Sequence, residues 1–230
     1  MMGDQSSEML RLLQQDSVGN FELLFHFEHN SEACFWLKDT SYLVELPATH
    51  KAFLQGEESI CGELLNHLSL DHYLIQIPYP LLPLLRRAFI VRTVETNLLY
   101  VLRKEDFLPA RDARVRPLIP RGFPICYQVG EEKLSLETFY GLFLDDQVVS
   151  YGGTQFETQE LAEIAWLRTD ENHQHKGYAT KVVSAVVEDL LEEDKLPIYR
   201  VSADNLASRR VAERLGFTLH GEFLYVTVRR

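Results

Sequence analysis

Hydrophobic positions recur at helical spacing most clearly over residues 176–193. There Val182, Val183, Val186, Val187, Leu190 and Leu191 form one stripe, opposed by Glu188, Asp189, Glu192 and Glu193. This pattern predicts an amphipathic helix packed on a sheet. Upstream, Phe139–Leu144 and residues 147–155 are β-rich runs joined by Asp145-Asp146, as in a hairpin, and Leu161–Thr169 reads as a third strand. Downstream, Pro197 marks a boundary, residues 198–202 read as another strand, and residues 207–215 read as a second helix that Gly216 caps. Residues 218–223 and 224–228 read as two closing strands.

The N-terminal half is patterned less sharply. Residues 6–15 carry Met9, Leu10, Leu12 and Leu13 at helical spacing, 42–46 and 98–102 read as short buried strands, and 58–68 and 81–89 read as helices. Pro109, Pro117, Pro120 and Pro124 then crowd a stretch where neither helix nor ladder is favoured, so it is read as a connector. The expected organisation is a mixed α/β region over 1–108 and a second domain over 109–230.

Composition narrows the function classes. With 34 acidic against 23 basic side chains the formal charge is -11, which disfavours a nucleic-acid partner. The three cysteines, Cys34, Cys61 and Cys126, are widely spaced and suggest neither a disulfide framework nor a zinc site. The first residues lack the order of a secretory signal, and no apolar run approaches the ~20 residues that span a bilayer, so a cytoplasmic protein without membrane contact is expected.

The candidate chemistry lies where the strand Leu161–Thr169 runs through Asp170-Glu171-Asn172-His173 into Gln174-His175-Lys176-Gly177-Tyr178-Ala179-Thr180, the start of the long helix. The first N–H groups of a helix have no intrahelical acceptor, and their partial positive charge suits an anion. Gly177 allows a ligand to approach the backbone, Ala179 leaves the helix start uncluttered, and Lys176 adds charge. A nucleotide P-loop is excluded because Gly177 follows the lysine, and a dinucleotide fingerprint because the turn holds one glycine rather than three.

A second segment completes the pattern: Asn205-Leu206-Ala207-Ser208-Arg209 opens the next helix, which ends Leu215-Gly216-Phe217. Together the two resemble the GNAT superfamily of N-acetyltransferases over about residues 139–230, in particular bacterial members with an extra N-terminal region. The resemblance implies an α+β fold, a mixed twisted sheet flanked by helices with the acyl-CoA-binding part in the C-terminal half. The N-terminal region would then be an appendage or a degenerate copy. It also implies acetyl-CoA as cosubstrate, its pyrophosphate held by the main chain of Gln174, His175, Lys176, Gly177, Tyr178, Ala179 and Thr180. Leu167, Arg168 and Thr169 would bond the pantetheine where two parallel strands splay apart, with Asn205 reaching it from the second strand and Ser208 or Arg209 near the phosphates. Asn205 also suits a helix N-cap, and Arg209, Arg210 and Arg214 suit a solvated helix face, with a phosphate role left to one of them.

Transfer to an amine requires the amine neutral, the carbonyl polarised and the leaving thiolate stabilised. Glu163, between large apolar neighbours, is the candidate base; the opposing reading is a structural ion pair or a side chain that points to solvent. Strand alternation puts Glu163, Ala165 and Leu167 on one face. Many family members carry a tyrosine seven residues after the asparagine as proton donor, but position 212 is alanine, which leaves water, the substrate, Tyr178, Tyr199 or Tyr225. The helical hairpin that usually shapes the acceptor pocket has no counterpart between 103 and 138. The expected activity is direct transfer to a primary amine of a small molecule or peptide by a monomer or homodimer. The alternatives are a longer acyl chain or a non-catalytic acyl-CoA-binding module. His26, Glu28 and His29 match no metal-ligand spacing, and Cys126 reads as an inert thiol.

Overall fold

The computed structural model describes residues 2–29, 33–119, 125–129, 132–136 and 138–230, with backbone alone for 2–4, Glu28, 125–129 and 132–136. The chain divides into two compact units. The first runs to Asn97 and takes up Gly221–Arg230 again at the end; the second comprises Leu98–Val129 and Lys133–His220.

In the first unit come α1 (Met2–Gln14), α2 (Phe21–His29), β1 (Cys34–Lys38), β2 (Ser41–Leu46), β3 (Lys51–Gln55), α3 (Glu58–Leu64), β4 (His72–Ile77), α4 (Leu82–Ala88) and the first part of β5 (Ile90–Val101). β1, β2 and β3 pair antiparallel, and β3 pairs parallel with β4. Every residue of β2 is buried because both faces are covered. Tyr42, Val44 and Leu46 meet Met9 and Leu13 of α1 and Leu23 and Leu24 of α2, while Leu43 meets Cys61, Leu64, Leu84 and Leu85 of α3 and α4. That continuous apolar run is what a strand buried on both sides requires. Its one carboxylate, Glu45, accepts hydrogen bonds from the Ser69 amide and hydroxyl and from the Tyr73 hydroxyl.

The second unit contains β6 (Val115–Pro117), β7 (Ile125–Val129), β8 (Glu132–Leu136), β9 (Phe139–Leu144), β10 (Gln147–Glu157), β11 (Leu161–Thr169), α5 (Tyr178–Glu192), β12 (Leu196–Ser202) and α6 (Leu206–Arg214). β13 (Thr218–Arg229) starts in this unit and ends in the first. Asp145 and Asp146 both adopt positive φ, +46° and +65°, as a two-residue hairpin turn demands, and join β9 to β10. The valine stripe of α5 packs on Ala162 and Ile164 of β11 and Tyr199 and Val201 of β12, with Val211, Ala212 and Leu215 of α6 closing the same core. Helix α6 ends in a Schellman motif. The Phe217 amide donates to the Ala212 carbonyl and the Gly216 amide to that of Glu213. Gly216 has φ +94°, and a Cβ there would lie 2.0 Å from the Asp106 carbonyl oxygen, so only glycine fits.

Several expectations are corrected. Residues 218–228 are one strand, β13, rather than two, because the sequence carries no turn signal at 223–224 that overrides pairing with β4. Pro197 lies inside β12, opposite Ala162, where its carbonyl still accepts from the Leu102 amide. The proline-rich connector contains β6, and its residues 120–124 lie outside the described ones, as does the Cys126 side chain. Strict alternation along β11 is broken between Ala165 and Arg168, where the register with β10 shifts by one residue at Trp166, φ +59°. Ala162, Ile164 and Leu167 therefore share the α5 face, rather than Glu163, Ala165 and Leu167 sharing one face.

Candidate functional site

The second unit holds a groove of about 920 Å³ walled by the end of β11, the loop 170–177, the start of α5 and one face of α6. Its position follows from the strands. β11 and β12 pair in parallel from Leu161↔Leu196 to Ile164↔Tyr199, and that register stops there although β11 continues to Thr169 and β12 to Ser202. On the other side the β10 register passes over Trp166 and Leu167. Beyond the bulge the end of β11 is fixed by the Ser150 hydroxyl, which donates to the Arg168 carbonyl at 3.2 Å and bonds the Thr169 hydroxyl at 2.8 Å. The Asp170 amide donates to the Val149 carbonyl.

The loop then prepares the helix terminus. His175 and Gly177 both have positive φ, +62° and +76°. Gly177 is the N-cap of α5 and offers no side chain to its amides, the first turn contains no acidic residue, and a Cβ at Gly177 would have nothing within 4 Å. The result is an uncapped, cationic helix end with open space before it. His173, also on the groove wall, has its Nδ1 buried without a hydrogen-bond partner. Across the groove the Asn205 side chain caps α6, its Oδ1 accepting from the Ser208 amide at 3.1 Å. The N-cap reading of Asn205 and its place on the groove wall are thus compatible.

Of the sequence-derived cofactor residues, Leu167, Arg168, Thr169, Gln174, His175, Gly177, Tyr178, Ala179, Thr180, Asn205 and Ser208 line the groove. Lys176 and Arg209 do not. The Lys176 ammonium donates to the Asn172 carbonyl at 3.0 Å, and Arg209 turns its guanidinium back to the Ala203 carbonyl at 3.0 Å. Arg210 and Arg214, read with Arg209 as a solvated face from which one arginine could meet a phosphate, are on the wall.

Glu163 is a correction of role. It is 2% exposed, lies outside the groove lining, and accepts a bidentate pair from Arg200, Nε at 2.9 Å and Nη2 at 2.7 Å. Both carboxylate oxygens are committed, so the residue serves as a structural ion pair between β11 and β12 rather than as a base beside the reacting carbonyl. The signal that could have found this pairing is the basic residue at position 200 on the neighbouring strand.

The proton-donor candidates also separate. Tyr178 lines the groove, flanked by the guanidinium of Arg114 at 5.5 Å and the ammonium of Lys181 at 5.7 Å from its ring centre. Tyr199 is buried, which raises its pKa, an effect that its hydrogen bond with Ser208 opposes. Tyr225 belongs to the first unit, where it bonds Glu22 and Lys51. Among the described residues no α-helix lies between 103 and 138, and position 212 is a buried alanine of the core. No helix of the described residues is long and apolar enough to cross a membrane, and no group of three or more His, Cys, Asp or Glu among them is placed to hold a metal ion.

Residues 127–218 match the family model of an acetyltransferase (GNAT) domain. No curated protein matches the chain in sequence. Among solved structures, a Drosophila protein superimposes with TM-score 0.71 at 12% identity, covering 98% of this chain and 96% of its own. A GCN5-related N-acetyltransferase-like protein from Streptococcus suis superimposes with TM-score 0.61 at 15% identity over 100% of both chains. A GCN5-related N-acetyltransferase from Sphaerobacter thermophilus gives 0.60 at 14% identity, covering 98% of this chain and 92% of its own. These likenesses establish the α+β architecture, a mixed sheet flanked by helices. The stretch that matches the acetyltransferase (GNAT) domain model, residues 127–218, contains the splayed strands and the bare helix end of the second unit.

Proposed function

We propose that the chain is an acetyl-CoA-dependent N-acetyltransferase that transfers the acetyl group to a primary amine by direct attack in a ternary complex. The observation that carries this reading is the open space at Gly177 in front of an uncapped helix terminus, contiguous with the end of β11 that has parted from β12. That cradle suits a pyrophosphate on the amides of Gly177 to Thr180, with the pantetheine arm running as an added strand along Leu167, Arg168 and Thr169. Acetyl-CoA supplies an activated thioester. The main chain beside the bulge supplies a fixed N–H dipole, such as that of Leu167, for the carbonyl oxygen. Of the described tyrosines considered as thiolate proton donors, only Tyr178 lines the groove, and water admitted along it is the other source. With Glu163 committed to Arg200, the amine is deprotonated by solvent or binds neutral.

Calorimetric titration with coenzyme A, followed by free-thiol release from acetyl-CoA across a panel of amines, tests the proposal. The expected result is saturable binding by the wild-type chain and thiol release that depends on one amine class. In Gly177→Glu a carboxylate faces the pyrophosphate and a non-glycine residue is forced to φ +76°, so binding falls at least about a hundredfold. Equal affinity in the variant would remove the loop from the cofactor site. Binding without transfer to any amine would leave an acyl-CoA-binding module.

A further inference from the structure

Left-handed backbone singles out one side chain of the second unit. Among the described residues eight non-glycine positions have positive φ, and six of them are Asp or His, which tolerate it. The other two are Phe156 and Trp166, each at a register shift between β10 and β11. A bulky residue held there is strained, and such strain concentrates where a backbone or side chain is put to use. Trp166 is also 44% exposed, the one aromatic among the large exposed apolar side chains described in the second unit. It belongs neither to the apolar clusters that pack on α5 nor to the groove lining.

The side of the sheet turned away from α5 carries more aromatic surface. Ala162, Ile164 and Leu167 face α5, so Glu163 and Ala165 lie on the opposite side, as does Gly153, which stands opposite Ala165 in the ladder. A Cβ at Gly153 would collide with the Phe139 ring, so the glycine makes room for that ring over the strand. Phe139 in turn lies against Tyr151, ring centres 5.8 Å apart. Glu163, the carboxylate on this side of β11, is already bound to Arg200 through both oxygens.

We propose that Trp166, with the Phe139–Tyr151 pair, forms the acceptor wall of the transferase, and that the acceptor is a primary amine carried on an aromatic group. The proposal rests on the acetyl-CoA reading above. With the thioester carbonyl on the Leu167 amide and the coenzyme on the α5 side, an amine reaches the carbonyl carbon from the other side, through the gap where β11 leaves β12. Trp166 immediately precedes that amide. An indole and a tilted ring pair offer stacked and edge-to-face partners to an aryl group, whereas the several charges of a polyamine would find Glu163 committed elsewhere. The amine nitrogen attacks the carbonyl carbon, the C–S bond breaks with its electron pair on sulfur, and the proton that nitrogen sheds ends on the thiolate by way of water.

The test is free-thiol release from acetyl-CoA with 2-phenylethylamine, n-propylamine and spermidine as acceptors, in wild type and in Trp166→Asn. Asparagine tolerates positive φ, so this variant loses the aromatic surface and is expected to keep the wild-type melting temperature. The wild type should favour 2-phenylethylamine over the other two by at least about tenfold in kcat/KM, the scale of an apolar group held in a site. In Trp166→Asn that preference should fall by about tenfold through KM, with affinity for coenzyme A in calorimetry as in wild type, and Trp166→Phe should retain most of it. A wild type that shows no preference or favours spermidine, or a preference that survives in Trp166→Asn, overturns the acceptor wall and leaves the acetyl-CoA reading standing. Thiol release with none of the three amines overturns the wall as well, and the calorimetry with coenzyme A then decides separately whether the cofactor site holds.

Discussion

Glu163 shows how a single residue's environment decides between two chemistries that its sequence neighbourhood leaves open. A carboxylate between Ile164 and Trp166 is compatible with a desolvated base or with a buried ion pair, and the guanidinium of Arg200 at 2.7 Å selects the second. Glu163→Gln breaks the bidentate pair with Arg200 at a site with 3% and 11% side-chain exposure, so stability should fall by about 3 kcal/mol in denaturant unfolding. Glu163→Leu/Arg200→Met should recover most of that loss, and the pH-rate profile of the folded Gln variant should superimpose on the wild type. A shifted profile would return the residue to the catalytic centre. Gly177 and Gly216 were legible from sequence alone because each stands where a helix must start or stop with positive φ. Lys176 and Arg209 lie on segments that wall the groove, but their directions depend on carbonyls that only the folded loop presents.

At the scale of elements, β10, β11 and α5 follow from periodicity, and the Asp145-Asp146 turn from the two aspartates' tolerance of positive φ. The bulge at Trp166 escaped prediction because one inserted residue leaves the composition of a strand unchanged while reversing every face beyond it. Of the elements not read from the sequence, β3 has three consecutive buried residues and no alternation to follow, whereas β4 alternates in burial but exposes Leu74, so that Tyr73-Leu74-Ile75 reads as a continuous apolar run. The tie between the segment before β6 and α5 gives a pH prediction. Asp112 accepts from Arg114 and from Lys181, and these bonds hold its carboxyl well below the ordinary 3.8. A carboxyl depressed in the folded state contributes its full stability above the unfolded value and loses it as pH falls below 3.8 toward the folded value. The wild-type melting temperature should therefore drop over that acid range more steeply than that of Asp112→Asn, and parallel curves would count against the tie.

For the whole molecule, the relevant fact is which residues each unit needs. Leu224, Val226 and Val228 of β13 sit in the same core as Leu43, Ile75, Ile77 and Leu85, and the Arg230 guanidinium donates to the Leu68 carbonyl. Deleting residues 221–230 should expose that core, costing well over the ~2–5 kcal/mol of one large-to-small core substitution. The first unit should then be cleaved rapidly in limited proteolysis while the second, whose core ends at Phe217, is cleaved more slowly. Equal protection of both would show that β13 is dispensable. None of this was visible in the sequence, where the two units read as a simple succession with a boundary near 108. A contact between residues so far apart along the chain leaves no local pattern.

The late return of β13 also sets a timetable for synthesis. A ribosome releases Met9, Leu43 and Ile75 long before Leu224, so the earlier unit emerges with one strand of its sheet still untranslated, while nearly all the later unit's core is already available when Phe217 leaves the tunnel. Maturation should thus run against the order of translation: the unit that is made second is the first able to close, and the unit made first waits for residues 221–230.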